Sequence, residues 1–318
     1  MSGASAEGWM PIGVSWRDGA PEIDWCLLRD ERFTEPFFED SVRRFVTRPF
    51  NKVFRRRTDA ATLEAWAASR PGLMPNGFIF HMSRCGSTLV TRMLAARRDN
   101  IVLSESAAID TMLRPPVPVP EEKHVAWLRA LIGGMGQPRF GERHYVIKLD
   151  CWHVLFLPLI ARAFPNVPRV FLYREPREVL ASHLRQRGIQ TVPQLLDPHL
   201  FGIDMTEAMT MPPPEYCARV LRRILEAATG EQSESLVNYR DLPEAVFGCV
   251  LPRFGMSLTA ETRTAMVGAS GSHSKKPGDR FSRADDAAPI PPNGPGDAAV
   301  AAHLDAPYQA LERRRLRT

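Results

Sequence analysis

Short, nearly all-apolar runs recur along the chain between residues 76 and 240, and stretches with helical spacing separate them. Each run is bounded by turn residues, which is typical of a strand buried on both faces of a parallel sheet. We predict strands at residues 77–82, 101–103, 145–149, 169–173 and 235–239. The clearest predicted helices are at residues 154–164, 176–187 and 215–228. This alternation predicts the α/β fold class, a parallel sheet flanked by helices on both faces in three α/β/α layers.

The chain divides at a group of turn residues around Pro71-Gly72 and Pro75-Asn76-Gly77. We expect residues 1–75 to form an N-terminal segment of unassigned role that packs on the core, and residues 76–318 to form the main domain. Helical spacing within the first segment predicts helices at 39–45 and 60–69.

A second change of pattern lies near the end of the chain. Residues 268–296 are rich in glycine, proline, serine and lysine and show no periodicity. A loop of this length inside a compact domain is usually a lid or a disordered linker, and we expect a lid here. Helical spacing resumes at residues 298–316.

The composition is that of an ordinary globular enzyme. Of 318 residues, 44% are hydrophobic and 24% charged, which excludes a fibrous or globally disordered chain. The net charge of +5 owes much to four arginines close to the C-terminus, so it does not imply a nucleic-acid partner. Five widely spaced cysteines contain no C-x-x-C pair, and neither a signal peptide nor a membrane span is apparent. We therefore expect a cytoplasmic protein.

The segment after the first predicted strand has the character of an anion-binding loop. It consists of Ser83, Arg84, Cys85, Gly86, Ser87 and Thr88 and leads directly into a helix. Backbone N–H groups at such a turn bind phosphate, and Arg84 adds a positive charge. The loop of nucleoside triphosphatases would need glycine at position 81 and lysine at 87, where this chain has His81 and Ser87. By itself the segment is also compatible with an ordinary turn and helix start.

A second cationic turn follows the fourth predicted strand. The strand ends at Arg174, an acid-Pro-Arg turn follows, and Ser182 comes eight residues after Arg174. By itself this turn is also compatible with a solvated helix start with proline at its first position.

The two motifs together resemble the sulfotransferase family. The first is similar to the family's 5′-phosphosulfate loop, and the second, with Arg174 and Ser182, to its 3′-phosphate motif. The resemblance covers residues 76–318 and implies a P-loop/sulfotransferase-like fold. It also implies transfer of a sulfuryl group from 3′-phosphoadenosine 5′-phosphosulfate (PAPS) to a hydroxyl or amine of a small-molecule or peptide acceptor, with no metal required. A donor with phosphate at both ends of its ribose needs two anion sites.

The resemblance also suggests catalytic residues. Lys148, at the end of the third strand, matches the family's donor-stabilising lysine, and Arg84 would share that role. Glu105 follows the second strand, which we expect to adjoin the loop strand, where tyrosylprotein and heparan-type sulfotransferases use a glutamate as base. Asp150 stands where many members have a histidine base. Glu105 is our first choice; the alternatives are Asp150 as base and Glu105 as a cap of the next helix. We expect His153 to be a packing or surface residue.

Three further residues and two other functions stay open. Lys275, Lys276 and Gly278 resemble a shortened form of the motif that closes over the nucleotide, but they also fit an exposed basic loop. The sequence is compatible with a P-loop kinase in which Asp150 holds Mg²⁺, or with a non-catalytic nucleotide-binding module. The acceptor and the oligomeric state are not determined by the sequence.

Overall fold

A computed structural model describes residues 8–29, 31–33, 35–230, 234–270, 290–291 and 293–317. Near the N-terminus it contains an antiparallel sheet of β1 (Trp9–Arg17), β2 (Ala20–Leu27) and β3 (Arg56–Asp59). Three helices accompany that sheet: α1 (Phe38–Val46), α2 (Pro49–Val53) and α3 (Ala60–Ser69). Helices α1 and α3 confirm the predicted helices of this segment.

The N-terminal strands were not predicted from the sequence. β1 and β2 are joined by Asp18 and Gly19, which have φ of 50° and 77° and form the two-residue turn of a hairpin. An Asp-Gly pair is a sequence signal for this turn. The register of β1 shifts between Pro11 and Gly13, which obscures the alternation of buried and exposed residues.

The N-terminal segment packs on the rest of the chain through tryptophans. The rings of Trp16 and Trp127 lie 6.0 Å apart, and the Trp16 indole N–H donates to the carbonyl of Thr111 at 2.9 Å. Trp25 packs against Trp66 within the segment, at 5.0 Å between ring centroids. The division of the chain at residue 75 stays a prediction.

The main sheet confirms the predicted fold class. Its strands are β4 (Gly77–His81), β5 (Asn100–Ser104), β6 (His144–Lys148), β7 (Arg169–Tyr173) and β8 (Glu234–Asn238). The order across the sheet is β5-β6-β4-β7-β8, and every neighbouring pair is parallel. Every residue of β4 and β7 is buried, because helices cover both faces.

The sheet order corrects one expectation. The second predicted strand was expected to adjoin the loop strand, but β6 lies between β5 and β4. Glu105, which follows β5, is therefore one strand further from the loop than expected. Lys148, at the end of β6, stands between the glutamate and the loop.

The helices of the main domain lie between and after these strands. They are α4 (Ser87–Ala95), α5 (Ala107–Leu113), α6 (Glu121–Met135), α7 (Leu157–Ala163), α8 (Pro176–Arg185), α9 (Met205–Thr210), α10 (Pro213–Gly230), α11 (Leu251–Arg253), α12 (Ala260–Ser270), α13 (Pro295–His303) and α14 (Asp305–Arg315). Among the described residues, no helix combines the length and apolar character needed to cross a bilayer.

Two predicted helices are interrupted. Residues 154–164 begin in a 3₁₀ turn, Cys151–Phe156, and continue as α7, which starts afresh with Pro158 in its first turn. Residues 298–316 are divided at Leu304 into α13 and α14. Pro307 has no N–H to bond the carbonyl of residue 303, so a continuous helix would lose that bond.

The predicted lid is described only at its ends. α12 runs to Ser270 and α13 begins at Pro295. Residues 271–289, with Lys275, Lys276 and Gly278, lie outside the described residues. Their proposed role in closing over a nucleotide stays a prediction.

Candidate active site

The segment between β4 and α4 is a loop with an unusual backbone. Ser83, Arg84 and Gly86 have φ of 76°, 51° and 81°, and the first two are not glycines. Non-glycine residues in the left-handed region are uncommon and concentrate at functional sites. The first N–H groups of α4 have no partner within the helix, so this loop and helix start can bind an anion.

Gly86 is required by space as well as by conformation. A Cβ at this position would lie 2.8 Å from both the Leu242 Cδ1 and the Tyr239 Cδ2 atoms. The loop is therefore packed directly against the segment that follows β8. Any larger residue would displace the loop or its neighbours.

Side chains of the loop hold it to the segment after α8. The Arg84 guanidinium donates to the carbonyl of Gln186 at 2.7 Å, and the Gln190 amide donates to the Ser83 hydroxyl at 3.2 Å. Cys85 points inward, and its thiol donates to the carbonyl of Leu172 at 3.2 Å. Burial raises the pKa of this thiol to about 12. Cys85 is thus structural, and only its backbone can contact a ligand.

His81, the last residue of β4, connects the loop to Glu105. Its Nδ1 accepts the N–H of Ser83 at 3.0 Å, so the proton of the neutral ring is on Nε2. Nε2 lies 3.3 Å from Glu105 Oε1. Burial lowers the pKa of His81, which keeps the ring neutral at neutral pH.

Glu105 follows β5 with a φ of 55°, another non-glycine residue in the left-handed region. Its Oε1 lies 2.8 Å from Lys148 Nζ. Burial acts to raise the pKa of the carboxyl, but the Lys148 charge and the His81 ring N–H outweigh it and hold that pKa well below its usual range. Glu105 is therefore ionised and can accept a proton, although the adjacent ammonium weakens it as a base.

The capping alternative for Glu105 does not fit the contacts. The N–H of Ala107, at the start of α5, donates to Glu39 Oε1 at 3.0 Å. The carboxylate that bonds this helix start therefore belongs to the N-terminal segment, whereas the Glu105 carboxylate faces Lys148. The contact of Glu39 with this helix start was not predicted from the sequence.

Lys148 is completely buried. Besides Glu105, its ammonium lies 5.2 Å from the centre of the Phe37 ring. Within the described residues, no well-aligned hydrogen-bond acceptor is found for Lys148 Nζ or for His81 Nε2, although both are close to Glu105 Oε1. Lys148 Nζ and His81 Nε2 thus face one carboxylate oxygen, which does not fully satisfy two buried donors.

Asp150 occupies a different environment two residues after β6. Burial, followed by the Glu105 and Asp110 carboxylates, raises the pKa of Asp150 well above its usual range. Its backbone N–H donates to His153 Nδ1 at 3.2 Å. The pKa values of the two carboxyls are thus shifted in opposite directions, and Asp150 is protonated to a larger extent than Glu105.

Asp110, Asp150 and His153 approach one another closely enough to hold a metal ion. The bonds of the histidine oppose this. Its Nδ1 accepts the Asp150 N–H, so Nε2 carries the proton and donates to Asp110 Oδ1 at 2.9 Å. The same oxygen accepts the Trp152 indole N–H at 2.7 Å. A metal ligated by His153 would have to break one of these bonds.

Arg174 lies beside the loop at the end of β7. Its N–H contacts the Met82 sulfur at 3.2 Å, its guanidinium bonds the Glu178 carboxylate, and it lies 4.1 Å from the centre of the Tyr239 ring. Ser182 is half-buried, two turns along α8. Tyr239 thus contacts both cationic motifs, because its ring also packs on Gly86.

Glu312 of the C-terminal helix fixes the strand end that carries Arg174. Its carboxylate accepts from the Tyr173 hydroxyl, from the Asn238 amide at 3.1 Å and from the Arg315 guanidinium at 3.0 Å. Burial acts to raise the pKa of Glu312, but these bonds outweigh it and lower the pKa to about 2. The ends of β7 and β8 are therefore tied to α14.

The structure brings most of the predicted residues to one edge of the sheet. Ligands of such sheets bind at the carboxyl ends of the strands. At these ends of β4 to β7 lie residues 83–88, Glu105, Lys148, Asp150 and Arg174. Neither His81 nor Tyr239 was predicted as a site residue from the sequence. Both stand at strand ends, which was the available signal for them.

A separate cavity of about 500 Å³ runs along the free edge of β5. Ser104 lines it, but the loop, Lys148 and Arg174 do not. Two of the arginines on its wall are held by other contacts: Arg32 donates to the carbonyl of Arg98 at 2.9 Å, and Arg139 to that of Glu31 at 3.3 Å. The volume suits a small molecule, but this cavity is distinct from the anion loop.

The chain matches no protein-family model and no curated protein. It is similar to solved structures of three sulfotransferases, the family that its two motifs resemble. STF9 from Mycobacterium avium is 15% identical, with 77% of this chain and 81% of that chain covered and a TM-score of 0.44. A sulfotransferase domain from the curacin biosynthetic pathway is 17% identical, with 61% and 78% covered and a TM-score of 0.41. STF1 from Mycobacterium tuberculosis H37Rv is 16% identical, with 68% and 80% covered and a TM-score of 0.38.

Proposed function

We propose that the chain is a sulfotransferase that moves a sulfuryl group from PAPS to a hydroxyl or amine acceptor. The observation that carries this proposal is the convergence of two buried donors, Lys148 Nζ and His81 Nε2, on one carboxylate beside an anion-binding loop. A proton acceptor and a positive charge at the same point are what transfer to a hydroxyl requires.

The residues present fit a bisphosphate donor. Residues 83–88 would hold its 5′-phosphate through backbone N–H groups, with Arg84 adding charge. Arg174 and Ser182 would hold the 3′-phosphate. When bound, PAPS supplies an electrophilic sulfur and a phosphate leaving group. ATP has no 3′-phosphate, so a kinase would leave the Arg174 motif without a function.

We assign separate roles to the protein's own acidic and basic side chains. The Glu105 carboxylate, held in place by His81 and Lys148, accepts the proton of the acceptor hydroxyl or amine. Lys148 also stabilises negative charge that develops at the loop, with Arg84. An anion that engages Lys148 competes with Glu105 for the ammonium, and the pKa of Glu105 rises as that contact weakens. The Glu105 carboxylate therefore becomes a better base when an anion is bound beside Lys148.

Binding and turnover test the proposal separately. Calorimetry in the presence of EDTA is expected to show binding of 3′-phosphoadenosine 5′-phosphate, and PAPS with a panel of phenols, sugars, amines and peptides is expected to give a sulfated product. If Mg-ATP binds and the bisphosphate does not, the protein is a kinase rather than a sulfotransferase. If the bisphosphate binds but no acceptor in a wide panel is sulfated, the protein is better described as a nucleotide-binding module.

A further inference from the structure

A contiguous apolar surface lies on the N-terminal segment. Phe50, Val53 and Phe54, in and just after α2, are 43%, 74% and 58% exposed. The Phe50 ring lies 4.8 Å from that of Phe54 and 6.3 Å from that of Trp9. Large apolar side chains that touch one another at the surface, unlike single scattered ones, mark an interaction site.

The same surface is rich in cations. Residues 48–57 contain five basic residues and no acid. Lys52 and Arg55 are exposed, and the Arg56 guanidinium lies 5.5 Å from the centre of the Trp9 ring. Across the described residues, none of these three cations is in an ion pair with an acid. We call this surface the basic-aromatic patch, consisting of Trp9, Phe50, Lys52, Val53, Phe54, Arg55 and Arg56.

We propose that the basic-aromatic patch docks the protein on the surface of an anionic lipid bilayer. The apolar side chains of the patch would be buried at the level of the lipid headgroups, and the adjacent cations would contact lipid phosphates and carboxylates. Trp and Phe suit this boundary because a ring can be immersed while flanking Lys and Arg stems reach to the charged layer. This inference does not depend on the activity proposed above.

Charge and shape favour a bilayer over other occupants. A second copy related by a two-fold axis would bring the patch against itself and oppose like charges. The exposed apolar part consists of three side chains, well short of the roughly 800 Å² per partner that a stable protein interface buries. Single-stranded nucleic acid stacks its bases on rings, but Val53, the most exposed of the three apolar side chains, has no ring.

Vesicle sedimentation with the full chain tests the proposal. We expect the protein to bind vesicles of phosphatidylcholine and phosphatidylserine at least ~10-fold more tightly than vesicles of phosphatidylcholine alone. Val53→Ser/Phe54→Ser should weaken that binding by about 10-fold or more, because the apolar contact is lost. Lys52→Gln/Arg55→Gln should weaken it too and flatten its dependence on salt. All these side chains are exposed, so the fold should survive, and circular dichroism checks that it does.

Matched controls lie elsewhere on the surface. Met74→Ser removes an apolar side chain that is 65% exposed, and Lys123→Gln removes an exposed cation. Both should leave vesicle binding unchanged. The proposal is overturned if wild-type protein stays in the supernatant, or if the patch variants sediment as the controls do. Binding to a single-stranded oligonucleotide in place of vesicles, or a dimer that Val53→Ser/Phe54→Ser abolishes, would assign the patch to that partner instead.

Discussion

The ammonium of Lys148 lies 2.8 Å from Glu105 Oε1; the lysine is completely buried, and the glutamate side chain is partly buried. One comes from the end of β6 and the other follows β5, so the pairing of two neighbouring parallel strands places them together. This contact makes Glu105 an ionised carboxylate at neutral pH, while Asp150 has a raised pKa. The two candidate bases can therefore be separated by experiment.

Glu105→Gln keeps the size of the side chain but cannot accept a proton. We expect it to lower kcat by roughly 10² to 10⁴-fold with little change in binding of 3′-phosphoadenosine 5′-phosphate. Asp150→Asn, the matched variant, should cost much less. Turnover and calorimetry on both variants give the ranking. An inactive Asp150→Asn beside an active Glu105→Gln would place the base after β6.

Arg174→Ala should distinguish ligands by their 3′-phosphate. A charge-assisted bond of about 1.5–3 kcal/mol is lost only where that group exists, so the bisphosphate should lose roughly 10- to 150-fold in affinity and adenosine 5′-monophosphate little. Arg177→Ala is the control, because Arg177 is bound by Asp297 at 2.9 Å and by Asp305 at 3.1 Å. Equal losses for both nucleotides in Arg174→Ala would contradict the assigned role.

Gly86→Ala tests whether the packed loop is needed for anion binding. The new Cβ meets Leu242 and Tyr239 at 2.8 Å, in addition to the conformational cost at a φ of 81°. We expect a loss of about 2–4 kcal/mol in unfolding free energy and no measurable bisphosphate binding. Gly202→Ala has a similar φ of 70° but open space around it, so it should cost only about 1 kcal/mol and leave binding intact. Urea unfolding compares the two.

Glu312 predicts an acid-sensitive component of stability. Its pKa is lowered to about 2 in the folded chain, against about 4.3 when unfolded. Because the folded pKa is the lower one, the stabilisation is fully present above the unfolded value and is lost as pH falls towards 2. Glu312→Gln should lower Tm at pH 7, and its difference from wild type should shrink below about pH 4. The exposed Glu261→Gln is the control; a difference that grew on acidification would contradict this account.

The sheet could be predicted from the sequence because its strands are buried on both faces and read as nearly pure apolar runs. The hairpin of β1 and β2 could not be predicted from alternating buried and exposed residues, because a bulge after Pro11 disturbs that alternation. Prolines at 158 and 307 divide helices whose hydrophobic spacing runs on without a break.

The site was predictable to the extent that it depends on strand ends. Lys148 ends a strand, Glu105 and Arg174 each follow one, and parallel strands bring such residues to one edge. The contacts of His81 with Glu105 and of Tyr239 with Gly86 depend on which strands are neighbours and how loops pack. Sequence periodicity does not contain that information.

The bonds of Glu312 impose an order of events during synthesis. Strand β7, which ends at the Tyr173 that Glu312 binds, leaves the ribosome well over a hundred residues before α14 does. Until α14 arrives, the Tyr173 hydroxyl and the Asn238 amide lack this partner, and the strand end that carries Arg174 is not yet held. The proposed 3′-phosphate site at Arg174 should therefore become able to bind its ligand last, after the remainder of the sheet has formed. Ribosome-bound chains arrested before and after the emergence of residue 315 should differ in retention on immobilised 3′-phosphoadenosine 5′-phosphate, with only the longer one retained.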